Sequence, residues 1–577
     1  MNRILISTAS ALALMAGTAG AQSFSDQAGG ATVLDTISVT ANRTPTEKSK
    51  TGSKIEQVTK EEIEEKSFFS VTDYLTRLPG ISVASNGGIG TTTGVFIRGL
   101  PSPYLKTYYN GIDVSDTTGT QVLTHYQYLL TGGVTGIEVL KGSQSTLYDS
   151  SAIAGLVDIT TLDGIGEGIN HTVHLEAGSF GTVRGRYGFT GASDGSRIAA
   201  NVTGFRTDGI SAFDGGAERD GYDNITFDLA AEHRINEAFS VFGSLLYIDA
   251  TADFDDSWGD NPTNQAITEA MGGRLGFNLD LLDGRWKHTL SAQAFRMDRD
   301  STDQPLLSTF IGTRQKLDYQ SSFEATDRIL LQYGADYERQ VADTTTPEAN
   351  WPPAIRVHAR NSLDLTGIWA QAVVEPVDNL VLTAGLRHDE HSLFGGHTTW
   401  RGTASYLFDQ TGTRLHSSFG TGFRAPSLYE LYDPTYGNST LKPETSRSFD
   451  IGVEQRFLDD RLTAGLTYFH IEVDNRIVSH PLTWQYVQEG ERVRSQGLEA
   501  SFAYAATSWL DIAGSYTYTD SRTASGIRSA RVPKHSAVLS ASVRPAEKWL
   551  VSADLKYVSG NVDHIFGTPP TVVGLKD

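Results

Sequence analysis

The chain has 577 residues, a formal net charge of −21 from 47 basic against 68 acidic side chains, and no cysteine. That composition excludes a disulfide framework and thiolate metal sites, and with no basic stripe it argues against a nucleic-acid partner. Glycine (58), tyrosine (23) and phenylalanine (25) abound, yet no apolar run beyond the first residues is long enough for a transmembrane helix.

In chain order, residues 1–21 read as a secretory leader. Arg3 supplies the basic start, Ile4 to Met15 the apolar stretch, and Ala19-Gly20-Ala21 the small residues before a cut at Gln22. Residues 22–53 form a tail containing "VLDTISVTANRT" (Val33 to Thr44), a β-branched, strand-prone ribbon with no partner strand close in sequence. Arg43-Thr44-Pro45 discourages continuous pairing behind it. Residues 54–163 read as a mixed α/β domain of about 110 residues, a common domain size. There Thr59 caps a helix that starts at Lys60-Glu61-Glu62, a second helix runs into Leu78-Pro79-Gly80, and short strands alternate with Gly-rich loops.

From residue 164 to 577 the pattern changes to alternation with period two, the signature of strands. "LVLTAGLR" sets Leu380, Leu382, Ala384 and Leu386 against Thr383 and Arg387, and "WLVSADLKY" sets Trp549, Val551, Ala553, Leu555 and Tyr557 against Ser552, Asp554 and Lys556. Aromatics mark the ends of the apolar faces, as in lipid-facing strands at the two membrane interfaces. Short turns such as Asp194-Gly195 and Leu282-Asp283-Gly284 alternate with longer loops, Asp253–Gln265 and Ser427–Lys442. The expected fold is an all-β transmembrane barrel, because an open sheet edge in hydrocarbon leaves amides unpaired. About 19 strands can be counted between His171 and Asp563, an odd number where single-chain bacterial barrels have even ones. The chain stops at "TVVGLKD" without a closing aromatic strand, so the expectation is that C-terminal strands are missing.

Several motifs carry a family resemblance. "TGVFIRG" (Thr93–Gly99), Tyr109-Asn110-Gly111-Ile112, "IEVLKG" (Ile137–Gly142), Ser145-Thr146-Leu147-Tyr148 and Ala152-Ile153-Ala154-Gly155 resemble, in order and spacing, the plug of TonB-dependent outer-membrane receptors. "TGFRAP" and "NSTLKPETS" extend the likeness into the barrel. The resemblance implies a barrel of about 22 strands with a plugged lumen. Ser143, Asp149, Ala154 and Asp158 depart from the family pattern, which favours proline, glycine, glycine and asparagine there; such changes bear on plug turns that need positive φ.

The resemblance also gives the tail a role. Asp35, Thr36, Ile37, Ser38, Val39, Thr40 and Ala41 resemble the TonB box, an extended segment that the TonB–ExbB–ExbD complex captures as an added strand. The short stretch between Gln22 and Asp35 leaves no space for a signalling domain, which implies a plain transporter. No P-loop is present, so the work of uptake would come from the inner-membrane proton gradient through that partner. Arg98 and Lys141 in the plug would face Asp450 and Glu499 on the wall as a latch.

Within the family, the box and the barrel stretches "RHDEHSLFGGHTTWRGTASY" and "FRAPSLYELYDPTYGNSTLKPETS" are most similar to the cobalamin-transporting branch. This implies a cobalamin cargo resting on two apical plug loops. The first offers Ser85, Asn86, Thr91, Thr92 and Thr93, the second Ser115, Thr117, Thr120, Gln121, His125 and Tyr126. It also implies Ca2+ held by extracellular carboxylates, here Asp214, Asp220, Asp223, Asp253, Asp255 and Asp256, with Asp249 and Asp260 beside them. Haem, with His125 and either His391 or His397 as ligands, and a ferric siderophore are the alternative cargoes. An enzyme is not expected, since no Ser/His/Asp spacing or metal-binding His pair is evident. The expected setting is the Gram-negative outer membrane, among lipid and lipopolysaccharide, as a monomer.

Overall fold

The computed structural model describes residues 37–38, 40–255, 259–303, 306–347, 356–480, 482–490, 492–565 and 571–574. The leader, Asp35, Thr36, Val39 and Asp256 lie outside the described residues.

One antiparallel sheet of 19 strands dominates, each strand paired to the next in chain order from Gly168–Ala177 to Trp549–Ser559. These two strands are its edges, with no pairing between them among the described residues. The predicted short turns and long loops fall where the strands end: Gln265 and Asp253 bound one long loop, and Ser193 pairs with Ser196 around Asp194-Gly195.

The alternation has the sense opposite to that of a soluble protein. In the strand Leu380–His391, Leu386 is 55% exposed while Arg387 is 1% exposed. Leu275, Ile368, Ile451 and Leu555 likewise face outward, and Arg314, Glu338, Asp389 and Asp450 face inward and are buried. Apolar side chains left out and charged ones taken in make sense only if the outside solvent is hydrocarbon. Within the described residues no helix is long and apolar enough to cross a membrane.

The lumen is filled by the N-terminal domain. Its main sheet comprises β1 (Ile55–Val58), β2 (Leu105–Tyr109), β3 (Ile112–Asp113), β4 (Gly136–Lys141) and β5 (Gly155–Thr160), in the spatial order β1-β4-β5-β2-β3. Only the β5–β2 pair is parallel. Helix α1 (Lys60–Lys66) starts where expected: the Thr59 hydroxyl accepts from Glu62 N, and Glu61 and Glu62 sit at the positive end of the helix dipole. Ser67, in the left-handed region at φ 52°, ends it. Ser70 caps α2 (Val71–Leu75) in the same way. Val71, Tyr74, Leu75, Val95, Ile97, Val139 and Val157 form the plug's apolar core, which continues onto the wall through Phe205, Leu246, Phe295 and Ile471.

Placing a charge on the outer face tests this orientation. Leu386→Arg should destabilise the barrel by about 2–4 kcal/mol, the value for a cation at the bilayer midplane. Heat-modifiable migration on gels should show a reduced folded fraction; an unchanged fraction would count against a lipid-facing Leu386.

Candidate functional site

Three linked assemblies occupy the interface between plug and wall. The first holds the tail. Ile37–Ser38 pairs antiparallel with Thr46–Glu47, so the chain folds back on itself in a two-residue ladder separate from the plug sheet. The described part of the ribbon, Ile37–Ser38 and residues 40–44, is therefore docked, whereas its sequence offered no nearby partner strand. Glu138 of β4 holds it: the hydroxyls of Ser38 and Thr40 donate to Oε1, as does Thr40 N at 3.2 Å. The Tyr148 hydroxyl donates to Thr40 O at 2.8 Å. Wall side chains grip the next residues, Arg401 on Ala41 O, Gln332 on Asn42 O and Gln320 on Arg43 O. Arg43 anchors the segment, 2.6 Å from Asp318 and lying over the rings of Tyr148 and Trp369. Sequence reasoning missed Glu138 and Asp318, which lie far along the chain from the tail.

The second assembly unites the four predicted latch residues. Arg98 Nη2 lies 3.1 Å from Glu499, its Nη1 3.3 Å from Asp450, and Lys141 Nζ 3.2 Å from Glu499. All four are buried. Arg98 also covers the Phe469 ring at 5.0 Å, and the Ser418 hydroxyl donates to Asp450. Gly80 makes the close approach feasible: at φ +72° it has no side chain where Glu499 Oε1 sits, 1.9 Å from the place of a β-carbon. Lys54 and Arg414 add a second pairing by converging on Glu454 at 3.0 and 2.7 Å.

The third assembly was not anticipated. Asp149, where the family favours glycine, takes φ 59° and ψ −154°, a region that only glycine enters readily. Its buried carboxylate joins Lys106 of the plug, at 2.7 Å, to Lys316 of the wall. Lys106 also pairs with Asp113 at 2.9 Å, and Arg314 reaches Asp113 at 3.2 Å.

At the plug apex the predicted ligand contacts divide. Ser85, Asn86, Thr92 and Thr120 are exposed, and Gln121 reaches Glu430 at 3.2 Å. Ser115, Thr117 and Tyr126 are buried, Thr117 bonded to Val341 O and Tyr126 to the Thr107 hydroxyl, so they shape the loop from below. Thr91 and Thr93 fold their hydroxyls onto backbone carbonyls within the first loop. Both ring nitrogens of His125 have partners, Asp116 at 3.1 Å and Gln127 at 3.2 Å. His391 and His397 stand on the lumenal wall, against Phe394 and Phe423.

Among the predicted metal-binding carboxylates, Asp255 comes together with Asp260 and with Glu218, which the sequence reading missed. Their oxygens lie within 4.8 Å of one another. Partial burial, with Asp220 and Asp255 nearby, pushes the Glu218 carboxyl up to about 7. Asp214 is exposed, Asp253 accepts from Gln265, and Asp223 turns outward towards Arg206, so these three stand apart from the group.

Comparison with known proteins agrees with this architecture. The family model described as "TonB dependent receptor-like, beta-barrel" matches residues 168–572, and that of the "TonB-dependent Receptor Plug Domain" matches residues 47–156. The vitamin B12 transporter BtuB of Photobacterium profundum is 27% identical over 503 residues, 85% of this chain and 79% of the relative. BtuB of Vibrio vulnificus is 26% identical over 473 residues, 81% and 74% of the two chains. Among solved structures, a mutant of the ferric enterobactin receptor PfeA from Pseudomonas aeruginosa superposes with a TM-score of 0.77 at 17% identity, covering 93% of this chain and 91% of its own. The siderophore receptor PirA of Acinetobacter baumannii gives 0.71 at 16%, with 90% of each chain covered. At such identities these structures speak for the fold alone.

Removing one member of the second assembly tests its importance. Arg98→Ala leaves Asp450 with no guanidinium and Glu499 with Lys141 alone, which should cost about 3–5 kcal/mol, as for one-sided loss of a buried pair. A lower melting temperature and greater sensitivity of cells to a large antibiotic such as vancomycin are expected. Unchanged permeability would show that these pairs do not keep the lumen closed.

Proposed function

The chain belongs to the TonB-dependent receptor family, and from that premise we propose that it imports cobalamin, with Ca2+ ordering its extracellular loops. Its family consists of transporters and receptors of the Gram-negative outer membrane, which couple to TonB and take up small-molecule ligands.

The docked tail is the observation that carries energised uptake. A strand added to a partner's sheet needs free backbone edges. For Ile37–Ser38 to offer them, the pairing with Thr46–Glu47 and the bonds to Glu138 must first give way. Capture of the tail therefore begins by breaking its contacts with the plug. TonB, energised by ExbB and ExbD, is the partner that would pull, and lipid with lipopolysaccharide would surround the barrel.

For the cargo, support comes from the two relatives named vitamin B12 transporters, similar over most of this chain, and from the box and barrel stretches noted above. Asn86, Thr92, Thr120 and Gln121 offer amide and hydroxyl contacts suited to a polar corrinoid. Haem is the second reading, and the occupied ring of His125 weighs against it. A ferric siderophore remains the third.

The donor set of Glu218, Asp255 and Asp260 suits a hard cation, which prefers carboxylate oxygens. Ca2+ there would tie the loop after Ile210 to the loop after Asp253. Isothermal calorimetry should show Ca2+ binding that Asp255→Asn abolishes, along with a loss of corrinoid affinity in EDTA. Heats indistinguishable from buffer would remove calcium from this reading.

Absorbance titration should show cyanocobalamin bound tightly and haemin not. The opposite preference would replace cobalamin by haem. Deleting residues 35–41 should abolish uptake and leave binding intact; uptake that survives the deletion would contradict coupling through the tail.

A further inference from the structure

The plug is fastened unevenly around the lumen. Towards the strands Thr413–Arg424, Glu444–Phe457 and Val493–Thr507 it is bound by Arg98, Lys141 and Lys54, and by Ser143, whose backbone N–H donates to Ser448 at 2.9 Å and whose hydroxyl donates to Thr421 O at 2.8 Å. Towards Leu306–Thr326 it is bound by Asp149 to Lys316 and by Asp113 to Arg314. Near the turn at Asn236–Ala238 the strands Phe239–Asp253, Gln265–Leu281 and Trp286–Asp303 stand away from the plug, while further along them Leu246 and Phe295 pack into its core.

A cavity of about 650 Å3 lies there, reaching the short turn at Asn236–Ala238, the periplasmic end of the barrel. This volume falls within the range of small-molecule sites, about 300–1,000 Å3. Its lining mixes apolar groups such as Leu156 and Phe242 with polar and charged ones: Asn110 and Asp158 from the plug, Arg274, Asn278 and Gln293 from the wall. The Arg274 guanidinium lies over the Phe242 ring at 4.7 Å and has Ser291 as its hydrogen-bonding partner. Thr40, Arg43, Thr44 and Pro45 close one side, so part of this cavity's boundary is the docked tail itself.

The cavity is roofed by the β2–β3 turn. Ser244 donates to Asn110 O at 3.0 Å, Asp113 N donates to Gln293 at 2.8 Å, and Ile112 packs where Gly272 leaves space. Above the roof, Asp116 meets Arg299 at 2.8 Å.

We propose that this cavity is the exit half of the cargo path, and that the plug opens along the wall of residues 239–303 while its other walls stay fastened. Traction on the tail withdraws Arg43 and its neighbours, widening the cavity on the side nearest the periplasm. The turn at Asn110–Asp113 then lifts from the wall and joins the cavity to the extracellular vestibule. The lining suits a large solute rich in amide and hydroxyl groups, which can exchange hydrogen bonds with Asn110, Asn278 and Gln293 in transit. This inference rests on the transport reading above and adds to it a route.

Two disulfides separate the routes, and the cysteine-free chain makes them clean. A β-carbon at Gly272 would lie 2.9 Å from Cγ2 of Ile112, and one at Gly420 would lie 3.2 Å from the Ser143 β-carbon. The second distance is close to the β-carbon separation of a disulfide, about 3.5–4.5 Å, and the first sets the Gly272 position directly against the Ile112 side chain. Ile112→Cys with Gly272→Cys pins the roof to the wall, and Ser143→Cys with Gly420→Cys pins the plug on the fastened side. Binding of cyanocobalamin to each oxidised protein establishes that it folds. Oxidation of the first pair should lower uptake of radiolabelled cyanocobalamin by at least about tenfold, as expected when opening limits turnover, and reductant should restore it. Oxidation of the second pair should leave uptake within about twofold of the reduced protein. Undiminished uptake with the roof pinned, or an equal loss with the fastened side pinned, overturns this route. Absence of uptake by the cysteine-free chain would instead overturn the transport reading on which it rests.

Discussion

A charge carried into the lumen has lost most of its water and must meet an opposite charge there. This constraint shapes the whole molecule. The barrel turns its apolar faces to lipid, so much of its inner face is polar, and beyond the apolar contacts at Phe205, Leu246, Phe295 and Ile471 the plug meets it with polar groups. Arg98 with Asp450 and Glu499, Lys54 with Glu454, and Asp149 with Lys106 and Lys316 are local solutions to that requirement. A joint of paired charges can be exchanged, pair by pair, for hydration as water enters, which suits a stopper that must move and return.

The barrel was legible in the sequence because lipid and lumen impose a strict period of two. Thr383 and Arg387 fall inward and Leu382 and Leu386 outward with no long-range information needed. The turns around Asp194 and Asp283, and the caps at Thr59 and Ser70, were legible for similar local reasons. The plug–wall contacts were legible only through family resemblance, which placed Arg98, Lys141, Asp450 and Glu499 at one locus. Glu138 and Asp318 as holders of the tail were not legible, since their meeting with it depends on how the plug sits in the barrel. Burial within the apical loop was not legible either: the composition around Ser115 is hydroxyl-rich, and in the fold Ser115, Thr117 and Tyr126 are buried, Thr117 and Tyr126 on partners inside the protein.

The departures from the family pattern repay attention one at a time. Asp149 keeps the backbone shape that suits glycine, and its strain is balanced by two buried ammonium groups that would otherwise share fewer carboxylates. Asp158 sits directly across the β4–β5 ladder from Glu138, a like-charge pairing on the surface that receives the tail. Burial, with Glu138 nearby, pushes its carboxyl up to about 7, so near neutrality its charge and its neighbour's hold on Ser38 and Thr40 are linked. Ser143 puts its backbone N–H and its hydroxyl to use against the wall, two contacts that proline, with neither donor, could not make. Ala154 is buried beside Ile153 in the plug core, where its methyl group is accommodated.

Force applied at the tail meets these contacts in a definite order. The bonds from Arg401, Gln332 and Gln320 fall on successive carbonyls of Ala41, Asn42 and Arg43, with the Arg43–Asp318 pair next. Contacts arranged along the pulled strand are loaded one after another, so each yields at the strength of a single bond. The clamp at Glu499 is arranged differently: Arg98 and Lys141 share one carboxylate, Arg98 reaches Asp450 as well, and Lys141 also holds Glu56. Such a network is loaded all at once and yields only when several pairs part together. A pull strong enough to strip the tail therefore need not dislodge the plug, and the region next to the stripped segment, where plug and wall already stand apart, is the one left least supported.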